Sequence, residues 1–368
     1  MTAGIESEAS VRGRDVLSEA RRKRTLALDA AARAGFGAVV ASDPATVRWL
    51  LCGRGRPVDV GSADYTVVLT PGSAAVLYAD IEQSRVAAEE RFEELGLEPV
   101  PFPWHERKDA TVAELLGGAA PLPASALELA IAPHRRELDE GERERYRAAG
   151  AAAADAFTFA LRALRPEQRE LDAAGLLADE ARRRDLVPRV LLVAGEERQP
   201  LHRHPLPTEA PLGRHALLAL TAELEGLHVS LTRIVSFGSP PAEVNRLVRL
   251  SAEVDEAMLV ASRPGVTLAS VIDTAARAYA ERGFPDEWRR HHQGGLTGYR
   301  GREVFCTPTE RTTIPSSAAV AWNPSITGGG KSEDTALVSA AAIEVVTRTP
   351  DLPELALDTL PRPAIVVV

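Results

Sequence analysis

The sequence predicts two mixed domains in series, an α/β domain over residues 1–135 and an α+β domain over residues 136–368. Two features of the pattern point there. Residues 18–133 alternate amphipathic stretches with short apolar runs, which is how helices and strands of an α/β layer read. From Asp139 the pattern changes to long helices, then paired strands, then helices again, then a β-rich segment with Gly and Pro turns. A chain of 368 residues with 45% hydrophobic side chains can fill two such cores.

In order along the chain, residues 18–36 form an amphipathic helix stopped at Gly35, and Gly37–Ala41 a buried strand. Thr46–Leu51 is a short apolar segment. Tyr65–Leu69 and Ala75–Tyr78 are strands joined through Gly72, a hairpin. A helix at about 80–95 and a strand over Leu97–Phe102 follow. Pro101, Pro103, Pro121 and Pro123 bracket a loop-rich stretch with a short helix near 110–117, and Ala126–Pro133 reads as one more strand. The second domain opens on a long Ala-rich helix from about Asp139 to Leu164, a composition of high helix propensity. A helix at 169–185 precedes strands at 188–193, 216–224 and 227–237, the last two parted by Gly226. Helices at 241–262 and 267–282 lead into the β-rich 291–348, and Pro363–Val368 suits a terminal strand.

Composition excludes several classes of function. With 52 acidic against 43 basic side chains, a net charge of -9 argues against nucleic acid as the main partner, because phosphate binding wants a clustered cationic excess. Cys52 and Cys306 exclude a disulfide scaffold or a Cys-rich zinc site and suit a reducing cytoplasm. The N-terminal Met1–Arg24 lacks the apolar core of a secretory signal, and no apolar run reaches spanning length. The expectation is a cytoplasmic protein with a small-molecule substrate and neither nucleic acid nor membrane as partner. Lysine occurs only at Lys23, Lys108 and Lys331, and asparagine only at Asn245 and Asn323, so each runs against the arginine-rich drift and hints at a chemical need.

Six of the eight histidines fall between 202 and 292, which places a site in the second domain. Alternation puts Ala219, Thr221 and Glu223 on one face of the first hairpin strand and His228, Ser230 and Thr232 on one face of the second. If those faces meet, they bring together a histidine, hydroxyls and a carboxylate. In His291-His292-Gln-Gly-Gly-Leu-Thr-Gly-Tyr299, the glycines would let the backbone approach a ligand closely. Asn323 and Lys331 sit in the late β-rich segment, where alternation points Lys331 and Glu333 the same way.

The order of these motifs resembles the pita-bread family, which contains the methionine aminopeptidases, Xaa-Pro aminopeptidases, prolidases and creatinase. His202-Arg-His204-Pro-Leu-Pro-Thr208 is similar to the family's His-containing segment ahead of the first catalytic strand. Gly226-Leu-His-Val-Ser230-Leu-Thr232-Arg233 is similar to its Gly-Tyr-x-Ser-Asp-x-Thr-Arg, and His292-Gln-Gly-Gly295-Leu to its His-Gly-x-Gly-Leu. Trp322-Asn323-Pro324 stands where the family has Glu-Pro, and Lys331-Ser-Glu333-Asp334-Thr335 is similar to its closing Arg-x-Glu-Asp-Thr. The resemblance implies a creatinase-like N-terminal domain followed by a pita-bread catalytic domain, and a homodimer.

It also implies a metal site with two divalent ions on two Asp, one His and two Glu, and here the sequence departs. The corresponding positions are Ala219, Ser230, His292, Asn323 and Glu333, so three of the five carboxylate or imidazole ligands are missing. His228 and Glu223 are off the expected positions. The expectation is therefore no cofactor and no metal, with a metal-independent hydrolase (or lyase) acting by a creatinase-like acid/base mechanism on a C–N bond of a small nitrogenous metabolite. In that reading His204 (or His202) moves protons, and Glu333 orients or protonates a leaving nitrogen or binds a cationic group. His292, Tyr299 and Asn323 polarise a carbonyl-like centre, His228 and Ser230 line the substrate, and Lys331 holds a carboxylate or depresses the Glu333 pKa. Arg233 is a structural partner for a nearby acid. The alternatives are an Xaa-Pro aminopeptidase or prolidase-like metallopeptidase, and a non-catalytic binding protein, as the fold serves in histone chaperones.

Overall fold

The fold is described from a computed structural model over residues 16–59 and 64–368. The polar start of the chain lies, through residue 15, outside the described residues. The chain divides into two compact units, Met1–Arg135 and Arg136–Val368.

In the first unit, the helix Val16–Arg33 buries Ala20, Lys23, Ala27, Ala30 and Ala31, one stripe at helical spacing. Four strands form its sheet in the order β1 (Val39–Ala41), β2 (Thr66–Thr70), β3 (Ser73–Ala79) and β4 (Glu98–Phe102). β2 and β3 are the antiparallel hairpin expected around Gly72, and β4 runs parallel to β3.

Three expectations need correction here. Thr46–Leu51 lies in a helix, Pro44–Leu50, because Asp43 accepts a hydrogen bond from the Thr46 N–H and Pro44 fits the first turn. Residues 80–95 are a run of short helical turns instead of one helix, since Arg91 adopts φ 45° and interrupts it. Ala126–Pro133 belongs to the helix Ala124–Arg136: Leu127 and Ile131, four apart, are buried while Leu129 is 80% exposed. Apolar residues at every second position imitated a strand, but Ala, Leu and Glu are strong helix formers.

The second unit opens on the helix Glu140–Ala163, whose start is closed reciprocally by Asp139 and Glu142. The helix Glu170–Arg182 leads to the antiparallel strands β5 (Val187–Gly195), β6 (His215–Leu224) and β7 (Leu227–Ser236). The helices Ala242–Ala261 and Leu268–Glu281 pack on each other. A five-stranded sheet then forms from β8 (Gly294–Thr297), β9 (Val304–Phe305), β10 (Ser317–Trp322), β13 (Asp334–Ser339) and β14 (Ile343–Val345), in the order β14-β13-β10-β8-β9. The small strands β11 (Ser325–Ile326) and β12 (Gly330–Lys331) pair beside it, as do β15 (Glu354–Leu355) and β16 (Arg362–Pro363). The apolar tail supplies β17 (Val366–Val367), which pairs parallel with β7 at the sheet edge.

Two contacts position the site. A backbone bridge between Thr232 and Glu333 ties the two sheets together, with the Thr232 N–H donating to the Glu333 carbonyl at 3.0 Å. Gly294 and Gly295 let β8 lie tight between its neighbours. A Cβ on Gly294 would stand 2.0 Å from the Ala321 carbonyl oxygen, and one on Gly295 would stand 1.9 Å from that of Val304. Gly294 also adopts φ 101°. The close approach expected of these glycines is made to strands β10 and β9, the reason being the packing of the sheet.

Candidate active site

The hairpin faces meet in register. Ala219 pairs Thr232, Thr221 pairs Ser230 and Glu223 pairs His228. The Thr221 and Ser230 hydroxyls are 2.9 Å apart. At the hairpin tip, Arg189 Nε donates to Glu223 at 2.8 Å, and His228 Nδ1 lies 3.3 Å from the Gly298 carbonyl. Burial, offset by Glu223, holds the His228 pKa below its ordinary value, so the imidazole is neutral.

Glu333 is the centre of the polar cluster. The Thr232 hydroxyl donates to its Oε2 at 2.7 Å, Lys331 Nζ stands 3.3 Å from that oxygen, and Arg302 Nη2 lies 3.3 Å from Oε1. Glu333 is 5% exposed and Lys331 6%, so the ion pair that alternation foresaw is a buried one. Burial pushes the Glu333 carboxyl up, but Lys331, Arg302 and the Thr232 hydrogen bond outweigh it, and its pKa falls below the ordinary value. Glu333 is thus a carboxylate bracketed by two cations. That speaks against two of its expected roles, since a group held ionised does not protonate a leaving nitrogen and two cations oppose a third, and leaves the orienting role untouched.

Arg302 was not singled out in the sequence. Its Nη1 also reaches Ser230 Oγ at 3.2 Å, while its Nε is buried with no hydrogen-bond partner. Asn323 is in the same position: its N–H donates to the Gln293 carbonyl at 3.2 Å, and its side-chain Oδ1 is buried and unpaired.

Three imidazoles form the second half of the site. His204, His291 and His292 each offer a ring nitrogen, and these atoms lie within 4.8 Å of one another. His204 Nε2 and His291 Nε2 are 3.0 Å apart. Ser325 Oγ stands 3.3 Å from His291 Nδ1, and the His292 ring packs edge-on against Phe305 with centroids 5.1 Å apart. His204 rides on a loop fastened by Arg203, which pairs with Glu287 and donates to Ser325 Oγ at 2.9 Å and Thr327 Oγ1 at 2.7 Å. Burial, with the fields of Lys331 and the neighbouring histidines, pushes His291 down to about 2. Burial and Arg302 push His292 down to about 4, and burial and Lys331 lower His204. All three rings are neutral near pH 7, and Lys331, Arg302 and Glu333 are among the charges that shift them, so the two halves lie within electrostatic reach.

Other expected residues stand elsewhere. His202 is exposed, with its backbone N–H bound to the Arg198 carbonyl; that leaves His204 as the histidine of this segment that joins the cluster. The Tyr299 hydroxyl donates to Glu142 at 3.0 Å on the first helix of this unit and receives Arg145, a buried structural tie. Arg233 pairs with Asp334 at 2.9 Å, both buried, as expected of a structural partner.

The sequence profile of metallopeptidase family M24 matches residues 144–340, more than half of the chain. The chain belongs to metallopeptidase family M24, a family of hydrolases. No curated protein matches it. Solved structures with the same fold include an Xaa-Pro dipeptidase from Bacillus anthracis, 16% identical, which covers 95% of this chain and 100% of its own with TM-score 0.73. A prolidase from Pyrococcus horikoshii OT3 is 17% identical, covers 89% of this chain and 98% of its own, and scores 0.72. The N-terminal domain of a FACT complex subunit from Cicer arietinum (chickpea) is 12% identical, covers 90% and 97%, and scores 0.62.

The pair of divalent ions that the resemblance implies does not fit the residues present. Ala219, Ser230 and Asn323 supply no carboxylate, and Glu333 is already compensated by Lys331 and Arg302. Two ions of charge +4 in total would face one carboxylate and two fixed cations.

Proposed function

We propose that this M24 chain hydrolyses the amide C–N bond of a small dipeptide-like substrate that carries a free carboxylate. The observation that carries the reading is an open charge and hydrogen-bond balance. Lys331 and Arg302 face a single carboxylate, Glu333, which leaves one positive charge uncompensated in a buried site. Arg302 Nε and Asn323 Oδ1 are left without partners. A substrate carboxylate at the cations and a substrate N–H at Asn323, from the amino group of an Xaa-Pro dipeptide or the amide of another, would satisfy all of these. The likeness to an Xaa-Pro dipeptidase and to prolidases supports a dipeptide over other amides.

Hydrolysis further needs an activated water and a destination for its proton. The neutral imidazoles of His204, His291 and His292 each keep one ring nitrogen with a lone pair and are not already locked by a cation, so they are the groups of this site that can hold and activate the water, directly or through an ion. Glu333 keeps the cations in place. Lys331 and Arg302 orient the substrate by its carboxylate, and Asn323 accepts a substrate N–H.

The metal-free, creatinase-like reading is favoured by one observation, the loss of the carboxylate ligands at 219, 230 and 323. Against its guanidinium-type substrate stands the cationic bracket around Glu333. A panel of Xaa-Pro and other dipeptides, each with its C-terminal amide and a set of guanidino compounds, separates the two. Turnover of free dipeptides, lost on amidation, is the expected result. Turnover confined to guanidino compounds, or indifference to amidation, would overturn the proposal. A homodimer belongs to the same proposal, and light scattering of the purified chain checks it.

A further inference from the structure

We infer that His204, His291 and His292 together hold one borderline transition-metal ion, zinc by preference, on a ligand set that keeps only His292 of the fold's carboxylate pair site. The inference deepens the hydrolase reading and rests on it for the ion's use, but its geometry stands alone. Three ring nitrogens within 4.8 Å of one another converge from two elements, a loop and the segment before β8. In a tetrahedral zinc site with Zn–N bonds of about 2.0–2.1 Å, ligand nitrogens sit about 3.4 Å apart. The 3.0 Å between His204 Nε2 and His291 Nε2 is already near that spacing, so small side-chain rotations suffice.

Two further observations favour an ion over a plain imidazole–imidazole hydrogen bond. His291 Nδ1 is engaged by Ser325 Oγ, which Arg203 holds in turn, so its Nε2 is the nitrogen turned to the cluster. That is the outer support that fixes a metal-binding imidazole. His204 is exposed, so the cluster is reached from solvent at that residue. Neutral nitrogen donors without carboxylates select zinc, cobalt or copper over manganese, magnesium and calcium. The positive charges of Lys331 and Arg302 oppose the ion, and a bound hydroxide or substrate carboxylate offsets them.

The test is zinc titration of the chelator-treated full chain by calorimetry, repeated with cobalt followed by visible absorption and with manganese. One equivalent of zinc is expected, a cobalt spectrum of four- or five-coordinate intensity, and manganese binding at least tenfold weaker. His291→Ala and His204→Ala should each weaken zinc at least tenfold, and Ser230→Ala should not change it. His204, being exposed, gives a variant that keeps its fold, checked by circular dichroism, if His291→Ala does not. No saturable zinc binding, two equivalents, or one equivalent that survives His204→Ala would overturn the inference. Dipeptide turnover by protein that binds no zinc would overturn the ion site and leave the hydrolase reading standing. One zinc with no turnover of any dipeptide would do the reverse.

Discussion

Two buried polar clusters in the second unit differ in how their charges close. Behind β13, Asp334 accepts from Arg233 at 2.9 Å, from the Thr347 hydroxyl at 2.6 Å and from Arg362, while Asp255 takes Arg362 Nε at 2.9 Å and the Ser332 hydroxyl at 2.6 Å. Two carboxylates meet two guanidiniums. One residue before Asp334, Glu333 meets Lys331 and Arg302, and one cation is left over. A closed charge balance serves the scaffold, although Asp255 Oδ1 is buried without a hydrogen-bond partner there too. An open one costs stability until something anionic arrives, which is how a binding site differs from a strut of the same composition.

The largest effect that tests this contrast is on the closed cluster. Asp334→Ala leaves Arg233 and Arg362 buried beside a missing partner and should cost about 3–5 kcal/mol in denaturant unfolding. A change below about 1 kcal/mol would break the comparison. Next is Lys331→Met, which leaves Arg302 and Glu333 as a balanced pair. The folding midpoint should barely move, while kcat/KM for a free-carboxylate dipeptide falls at least tenfold, mainly through KM; a midpoint loss like that of Asp334→Ala would make Lys331 a strut.

Smaller is the pH dependence of the chelator-treated protein. The folded-state pKa values of His291 and His292 lie near 2 and 4, below the ordinary 6.5, so the unfolded chain binds protons first. Stability should therefore be full above about pH 6.5 and decline as pH falls toward 4. A His291→Asn/His292→Asn variant should show a flatter decline in thermal melts across that window. Smallest is His202→Ala, expected to shift stability by less than about 0.5 kcal/mol and turnover by less than twofold; a large loss of turnover would return His202 to the site.

Much of this was legible in the sequence where the governing rule is local. The two faces, Thr221 with Glu223 and Ser230 with His228, followed from alternation around Gly226, because side-chain direction in a strand has period two, while their pairing in register came only from the fold. The rare residues marked the site in part: Lys331 and Asn323 are there, but Lys23 pairs with Glu19 within a helix, Lys108 binds Thr66, and Asn245 is exposed. What stayed hidden depended on distant chain segments. Arg302 reaches Glu333 thirty-one positions on, and His291 meets His204 eighty-seven positions away. No periodicity encodes such pairs. Pairing with β10 and β9 brings one segment into place, and the Arg203 anchor the other.

The two walls of the imidazole cluster differ in what they tolerate. The segment bearing His291 and His292 runs into glycines pressed between carbonyls of adjacent strands, so it admits almost no change of backbone. The loop bearing His204 is held by Arg203, by Arg198 at the Leu206 carbonyl and by the Val193 N–H at the Pro205 carbonyl, yet it exposes Leu201, His202 and Leu206. Selection, natural or in the laboratory, therefore has one fixed jaw and one adjustable jaw to work with. New substrate preferences should arise by varying the Leu201–Leu206 loop while the β8 side is inherited unchanged.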